Sequence, residues 1–416
     1  MSSSPLICLI TPGHVSTTPR LVKNADALAD AGYRVHVVAS APFPPAEQLD
    51  SEIIAAAKWA YTKANFRRER GALVRKVIRR FSRALVRLGG PLSTRVVARA
   101  QFDESQLLAN AASQIPAKLF FGHCLAALPA AAEAARSRGC PYGFDIEDYH
   151  DAETESALAD PVERRIRRLL QQRLLPGSSP LACSAPMIAQ KYTEKYNVAP
   201  LVLLNVFPLS QAPKVPLDPE PITEGRPAVF YWFSQTVGPD RGLEGTIAVL
   251  ARMRTPVELH LRGFVKPDYA AGLQTLASGC GLKRPLRFLA PGSPNEMVRL
   301  AATADMGLSV ERRVPLNRDI CLTNKVFAYL LAGIPQLMTD TSAQCALAPE
   351  LGAAALICKL SQAQESAARL DEFFANPAAV ADARTSARRA AAGRFCWDLE
   401  KERFLRAVKE ILPKTE

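Results

Sequence analysis

Apolar and polar positions along the chain keep two rhythms. Short apolar runs closed by glycine or proline give way to longer stretches in which apolar residues recur every three or four positions. Pro5 to Ile10 is the first such run, closed by Thr11-Pro12-Gly13. Leu21, Ala25, Leu28 and Ala29 then place a helix, Gly32 ends it, and Arg34 to Ala39 is a second strand. A strand, glycine turn, helix and strand in this order is the opening of a doubly wound α/β domain. No G-x-G-x-x-G is present in it, so nothing here specifies a dinucleotide. From Ile53 to Arg99 the pattern reads as helix, with Leu73, Val77, Phe81, Ala84 and Leu88 on one stripe and Val74, Ile78 and Leu85 beside it. Alternation returns at Lys118 to Phe121, an Ala-rich helix to Arg138, and Tyr142 to Ile146. An arginine-rich helix, Leu181 to Ser184, a helix to Tyr196 and Leu201 to Val206 follow.

Prolines at 208, 213, 216, 219, 221 and 227 interrupt the rhythm at a density that helices and strands do not tolerate. Beyond them the alternation restarts, with strands at Ala228 to Phe233, Val257 to Leu261, Leu286 to Leu289 and Met306 to Val310, and helices after Gly242, Pro267 and Pro294. The stretch from Met306 to Pro335 joins an apolar run to a polar loop and a helix. Thr323 suits the cap of that helix, Asn324 and Lys325 add donors in its first turn, and Gly333 stops it. Free backbone N–H groups and the helix dipole favour an anion at such a start, so the stretch reads as a diphosphate seat or as an ordinary well-capped βαβ unit. The pattern thus predicts an α/β domain over residues 1–207, a linker over 208–227 and a second α/β domain over 228–392. Residues 393–416 form a terminal helix that packs back on the first domain through Trp397, Leu399, Phe404, Val408 and Ile411.

Totals narrow the class. A chain of 416 residues suits about two to three domains, and no run of about 18 uncharged apolar residues is present to cross a bilayer. The N-terminus has an apolar patch but neither a basic start nor a small-residue cleavage site, and reads as a first strand rather than a signal peptide. The nine cysteines are scattered, without a C-x-x-C pair or a histidine at metal spacing, which suits reduced thiols in a cytosol and no metal site. The formal charge is +12, and much of it sits between Arg67 and Arg99, where eleven Arg and Lys face one acid, Glu69. A basic amphipathic helix there suits an anionic membrane surface. The alternatives are a helix whose apolar stripe packs on its own domain, and nucleic acid, against which stands the lack of aromatic interleaving or a binding motif.

Several motifs, in order along almost the whole chain, resemble the family-4-like nucleotide-sugar glycosyltransferases of the GT-B fold, in which two Rossmann-like doubly wound domains flank an interdomain cleft. TPGHVSTTPRLVKNADALADAGYRVHVV resembles the family's opening strand and glycine loop, which implies Gly13 at the donor diphosphate. Phe121-Gly122-His123 is similar to the segment where the family places a histidine close to the reacting sugar. Asp148-Tyr149-His150-Asp151 is similar to its Asp-x-His-Glu or Asp-x-His-Asp at a strand end, which implies that His123, Asp148 and His150 are catalytic. SQTVGPDRGLEGTIAVLARM resembles the Gly…Lys-Gly segment whose basic residue grips the diphosphate, and Arg241, followed by Gly242, stands in that place. LTNKVFAYLLAGIP resembles the signature around the phosphate-binding helix, with Thr323, Asn324 and Lys325 at its start. Departures accompany the matches. Ile320 and Ala328 stand where the family carries two acids, and Gln235 replaces a basic residue, so sugar and nucleoside contacts fall to Gln235, Glu311, Asn317 or Asp319. The resemblance implies transfer of a sugar from a nucleotide-diphosphate sugar, as co-substrate and without a further cofactor or metal, to a glycan or lipid-linked acceptor in surface-polysaccharide synthesis. Retention is implied too, with the leaving phosphate in place of a general base. The implied location is the cytoplasm or the inner face of the cell membrane. Two competing readings use the same fold, a sugar-nucleotide epimerase and a binding protein that has lost catalysis.

Overall fold

A computed structural model describes residues 4–42, 46–64, 71–155, 159–215 and 221–412. The chain divides into two units, one of residues 1–204, 315–317 and 401–416, the other of residues 205–314 and 318–400.

In the first unit, β1 (Leu6–Thr11), β2 (Arg34–Ala39), β3 (Ala60–Lys63), β4 (Leu119–His123), β5 (Tyr142–Ile146), β6 (Ser178–Cys183) and β7 (Leu201–Val202) form one sheet in the order β3-β2-β1-β4-β5-β6-β7. Every neighbouring pair is parallel. The unbroken apolar run of β1 follows from burial on both faces. Ile7 and Leu9 face a core with Leu21 and Leu28 of the helix Pro19–Asp30, whereas Cys8 and Ile10 face Leu108, Ala130 and Ala134 on the other side. Phe404 and Val408 of the helix Trp397–Ile411 join the first of these cores, while Leu399 is exposed.

The second unit holds β8 (Ala228–Val237), β9 (Val257–Val265), β10 (Arg287–Leu289), β11 (Met306–Ser309), β12 (Gln336–Thr339) and β13 (Ala355–Cys358) in the order β10-β9-β8-β11-β12-β13, again all parallel. Its core gathers Phe230, Trp232, Leu259, Leu308 and Leu337 from the sheet with Ile247 and Leu370 from the helices. Two doubly wound parallel sheets are therefore present, as the alternation predicts. In each, the strand order reverses once, between β1 and β4 and between β8 and β11. Ligands in open α/β sheets bind outside the carboxyl ends of the strands at that reversal.

Several predicted elements need correction. The stretch from Ile53 to Arg99 is not continuous helix. It contains β3, which completes the edge of the first sheet beside β2, and the helices Ala72–Leu88 and Thr94–Gln101, parted by Gly89, Gly90 and Pro91. Arg67, Arg68, Glu69 and Arg70 lie outside the described residues, as do Pro216 and Pro219 of the linker. Only Leu201 and Val202 of the run to Val206 pair as strand. The helix predicted from Pro294 is a single 3-10 turn, Pro294–Glu296, leading into Met297–Ala301. A short helix, Leu316–Ile320, occupies the loop between β11 and the helix Asn324–Ala332.

Candidate functional site

In the second unit, the loops after β8 and β11 meet at the reversal of strand order. Gly242 sits there with φ 75°, a left-handed conformation that disfavours any side chain, and caps the helix Leu243–Leu250. A Cβ at Gly242 would lie 3.4 Å from Cβ of Val310 and 3.3 Å from Leu360, so this turn packs directly on the end of the β11 run. Asp240, just before Arg241, pairs with Arg312 of the β11 loop. Arg241 is half-buried. The structure thus brings the Arg241-Gly242 turn against the loop that feeds the helix Asn324–Ala332.

At that helix start Lys325 is only 4% exposed. Its Nζ lies 3.1 Å from Oε1 of Glu311 and 5.4 Å from the centroid of the Trp232 ring. Arg318 reaches the other oxygen of Glu311 at 3.3 Å. One buried carboxylate is therefore shared by two cations. Thr323 occupies the N-cap with extended dihedrals, but its hydroxyl makes no capping bond and its buried Oγ1 has no hydrogen-bond partner. The predicted cap bond is absent, which leaves the first turn's N–H groups without a side-chain acceptor. Gly333 ends the helix in a left-handed conformation, φ 72°, as the sequence predicts.

The residues considered for the sugar and nucleoside are scattered. Gln235 is exposed on β8 where the pairing with β9 shifts register between Phe233 and Thr236. Asp319 caps the helix Ser342–Leu351, accepting from the Ser342 N–H at 2.9 Å and from its hydroxyl at 2.6 Å. Asn317 belongs to the first unit, where its amide donates to Asp148 at 2.7 Å and accepts from the Tyr149 N–H at 2.7 Å. Ala328 and Ile320 are buried apolar residues, so Glu311 is the one of the four that lies beside Lys325.

In the first unit, Gly13 lies in the loop after β1, where its N–H is taken by Thr11 Oγ1 at 3.2 Å. Across the reversal, β4 ends in His123, which has no exposed surface. Its Nδ1 lies 3.3 Å from Asp145 and 3.4 Å from Glu147, without hydrogen-bonding geometry to either. Burial alone would lower the imidazole's pKa, but the two carboxylates outweigh it and raise it. Asp145 in turn receives both arms of Arg20, Nε and Nη2 each at 2.7 Å, while Nη1 donates to the Leu203 carbonyl at 2.9 Å. Burial opposes ionisation of Asp145, yet Arg20 and His123 hold its carboxyl far below the usual carboxylate range.

Beyond β5 the Asp148 to Asp151 cluster is built in. Asp148 is raised above the usual range, chiefly by desolvation and then by the charge of Glu153, with the Asn317 hydrogen bond and His150 opposing. Buried His150 holds Glu153 through Nδ1 at 3.2 Å, and its Nε2 has no partner. Desolvation would raise Glu153, but His150 and Arg167 bring it down to about 2. Asp151 accepts from the Tyr196 hydroxyl at 2.7 Å and pairs with Lys195 at 3.0 Å. Three of these groups, His123, Asp145 and Glu147, have ligand atoms within 4.8 Å of one another and are the metal-sized cluster among the described residues. Both oxygens of Asp145 already carry the Arg20 fork, so the set works as an ion network in which a cation would compete with a guanidinium. The sequence marks Glu147 as the first residue of the polar run Glu147 to Asp151 that ends the strand, but gives no role to Arg20, Asp145, Glu153 or Arg167. An acid inside the apolar strand Tyr142–Ile146 was the available signal.

The helix Ala72–Leu88 is inverted relative to an ordinary surface helix. Ser82 and Val86 are its buried residues, with Arg83 turned toward the protein to pair with Asp160 at 2.6 Å and Glu163 at 2.8 Å. Its apolar stripe faces out: Leu73 is 78% exposed, Phe81 64% and Leu88 84%, with Val74 and Val77 also exposed. Among the described residues, these exposed side chains do not pack on their own domain.

Two doubly wound parallel sheets, each with one reversal of strand order, are the arrangement of the GT-B fold. No family model matches the chain and no curated protein matches it in sequence. Solved structures do match its fold. The Anabaena protein HepE, solved with UDP and glucose, superposes with a TM-score of 0.69 at 16% identity over 98% of this chain and 100% of its own. Sucrose-phosphate synthase from Thermosynechococcus elongatus gives 0.70 at 12% identity, covering 98% of each chain. WaaG, a glycosyltransferase involved in lipopolysaccharide biosynthesis, gives 0.63 at 14% identity over 98% of this chain and 99% of its own.

Proposed function

We propose that this protein is a glycosyltransferase that moves a sugar from a nucleoside-diphosphate sugar to a glycan or lipid-linked acceptor in the synthesis of a cell-surface polysaccharide. The observation that carries this reading is the convergence, at one strand-order reversal, of the Arg241-Gly242 turn, the Glu311–Lys325 pair and an uncapped helix start. A forked guanidinium, an ammonium and free N–H groups are the donors that a leaving diphosphate needs. On this reading they neutralise it without a divalent ion, and no further cofactor enters. Diphosphate binding draws Lys325 away from Glu311, which keeps Arg318 as its partner. UDP is the first nucleotide to test, since the HepE structure holds UDP and glucose.

In the transfer, the bond from the anomeric carbon to the diphosphate oxygen breaks and a bond to the acceptor hydroxyl oxygen forms. The acceptor's proton passes to the departing phosphate oxygen on the same face, which gives retention. Asp148 and His150 hold the acceptor: Asp148 is shifted toward its protonated form, and His150 has an unpartnered Nε2. His123, fully buried, fixes Asp145 and Glu147 by charge.

The exposed stripe of Ala72–Leu88 seats the protein on an anionic membrane, with Lys76, Arg80 and Arg87 exposed along one flank of the stripe. This surface supports a location on the inner face of the cell membrane. The test is nucleotide release from UDP-glucose, and from GDP- and ADP-sugars, with and without an acceptor panel and with and without chelator. Release only with acceptor, unaffected by chelator, supports the reading. Interconversion of the sugar without acceptor identifies an epimerase, and binding without turnover over the whole panel identifies a binding protein.

A further inference from the structure

A cavity of about 480 Å³ opens in the first unit where the C-terminal end of the helix Ala72–Leu88 meets the helices Pro161–Leu174 and Pro186–Tyr196. Its walls carry five cations, Arg87, Arg164, Arg165, Arg168 and Lys195, against one carboxylate, Asp151. That carboxylate is already committed to Lys195 and to the Tyr196 hydroxyl. Among the described residues, the side chains of Arg87, Arg164, Arg165 and Arg168 make no hydrogen bond or ion pair. On the same two helices Arg83 pairs with Asp160 and Glu163, and Arg167 with Glu153 and Glu163, whereas the four cavity arginines have no such carboxylate. Arg164 and Arg168 stand one helical turn apart, as do Arg165 and Arg168, and like charges at these spacings disfavour the helix unless an anion lies between them.

We infer that this cavity binds the phosphate monoester or diphosphate group of a second ligand, distinct from the nucleotide. Forked guanidiniums from two helices match the oxygens of such a group, and the volume holds a diphosphate with its first attached residue. Val86 and Arg87 line the cavity, and Leu88 beside them is the most exposed apolar residue of the outward stripe. A phosphate held here therefore sits at the end of a surface suited to a bilayer. Asp151 also links the cavity to the Asp148 and His150 cluster. Calling the ligand the sugar acceptor rests on the glycosyltransferase reading, whereas its binding does not.

The test is calorimetric titration of the full chain with inorganic pyrophosphate, in wild type, in Arg164→Gln/Arg168→Gln and in Arg241→Gln. Wild type is expected to bind pyrophosphate at two sites, the cavity and the donor seat. The cavity variant should lose the first, binding there roughly 10- to 100-fold more weakly, the scale of lost charge-assisted hydrogen bonds, and Arg241→Gln should weaken the second while the cavity site persists. Both substituted arginines are exposed, so the melting temperature should hold, and single Arg168→Gln should show an intermediate loss. Unchanged affinity in the cavity variant overturns the inference. Loss confined to Arg241→Gln also overturns it, by assigning pyrophosphate to the donor seat, and leaves the glycosyltransferase reading standing. Co-sedimentation with phosphatidylcholine vesicles carrying phosphatidic acid or phosphatidylserine, matched in surface charge, separates the sources. A wild-type preference for phosphatidic acid that the cavity variant lacks identifies a lipid-borne phosphate, and pyrophosphate binding without that preference identifies a soluble phosphorylated ligand.

Discussion

Replacing Lys325 by alanine should do two separable things. Glu311 is 3% exposed and shared between Lys325 at 3.1 Å and Arg318 at 3.3 Å. Stripping one partner from a buried ion pair costs about 3–5 kcal/mol when the remaining charge is left alone. Arg318 keeps one oxygen of Glu311 compensated, which brings the expected loss to about 2 kcal/mol, a fall in melting temperature of roughly 4–8 °C for a unit of this size. Adding Glu311→Gln removes the uncompensated charge and should recover most of that loss. Nucleoside-diphosphate affinity should behave differently, falling by roughly 1.5–3 kcal/mol, or about 10- to 150-fold, in Lys325→Ala and remaining low in the double variant. Thermal denaturation and calorimetric titration on wild type, Lys325→Ala and the double variant read both effects. A double variant that regains stability and nucleotide affinity together would show that Lys325 serves only to neutralise Glu311, and the diphosphate seat would be refuted.

Four further outcomes follow from other parts of the structure. The raised pKa of His123 means that its charged form adds stability fully below the unfolded value of 6.5 and loses it as pH rises through the folded value; His123→Gln should abolish that slope in melting temperature against pH. Glu153 works in the opposite sense, its contribution present above 4.5 and lost as pH falls toward about 2, so Glu153→Gln should flatten the acid limb. Asp145→Asn leaves the Arg20 guanidinium buried without its anion and should cost about 3–5 kcal/mol in denaturant unfolding. Leu73→Ser/Phe81→Ser should weaken binding to anionic vesicles at least about tenfold, from about 1.5–3 kcal/mol per apolar side chain. The melting temperature should stay unchanged in that variant, and undiminished vesicle binding would remove the membrane role from this helix.

The parallel strands were legible because burial on both faces forces unbroken apolar runs, as in Ile7 to Ile10 and Met306 to Val310. The strand Ala60–Lys63 was not, because an edge strand is only half covered and its Ala-Tyr-Thr-Lys carries no apolar run. The helix at Asn324 and its glycine stop were legible from local chemistry, whereas the missing capping bond of Thr323 was not, since a hydroxyl's direction depends on its packed surroundings. The stripe of Leu73 to Leu88 was visible as amphipathic, but periodicity alone does not say which face turns inward. Here Arg83 is drawn in by Asp160 and Glu163, partners some eighty positions away, and the apolar face is left out. The Arg20–Asp145 pair, 125 residues apart, is likewise fixed only by the order of strands in the sheet. Asn317 and Asp319 were adjacent to the seat in sequence, yet the short helix Leu316–Ile320 turns one toward Asp148 and the other toward Ser342.

The turn at Arg241 and the helix start at Lys325 form the proposed seat of a nucleoside diphosphate. Calorimetric titration with UDP, GDP and ADP, each set against its own monophosphate, tests it most directly. At least one diphosphate is expected to bind saturably, at least about tenfold more tightly than its monophosphate, and Arg241→Ala to erase the difference. Failure of all three diphosphates to bind, or a preference that survives Arg241→Ala and Lys325→Ala alike, would contradict it.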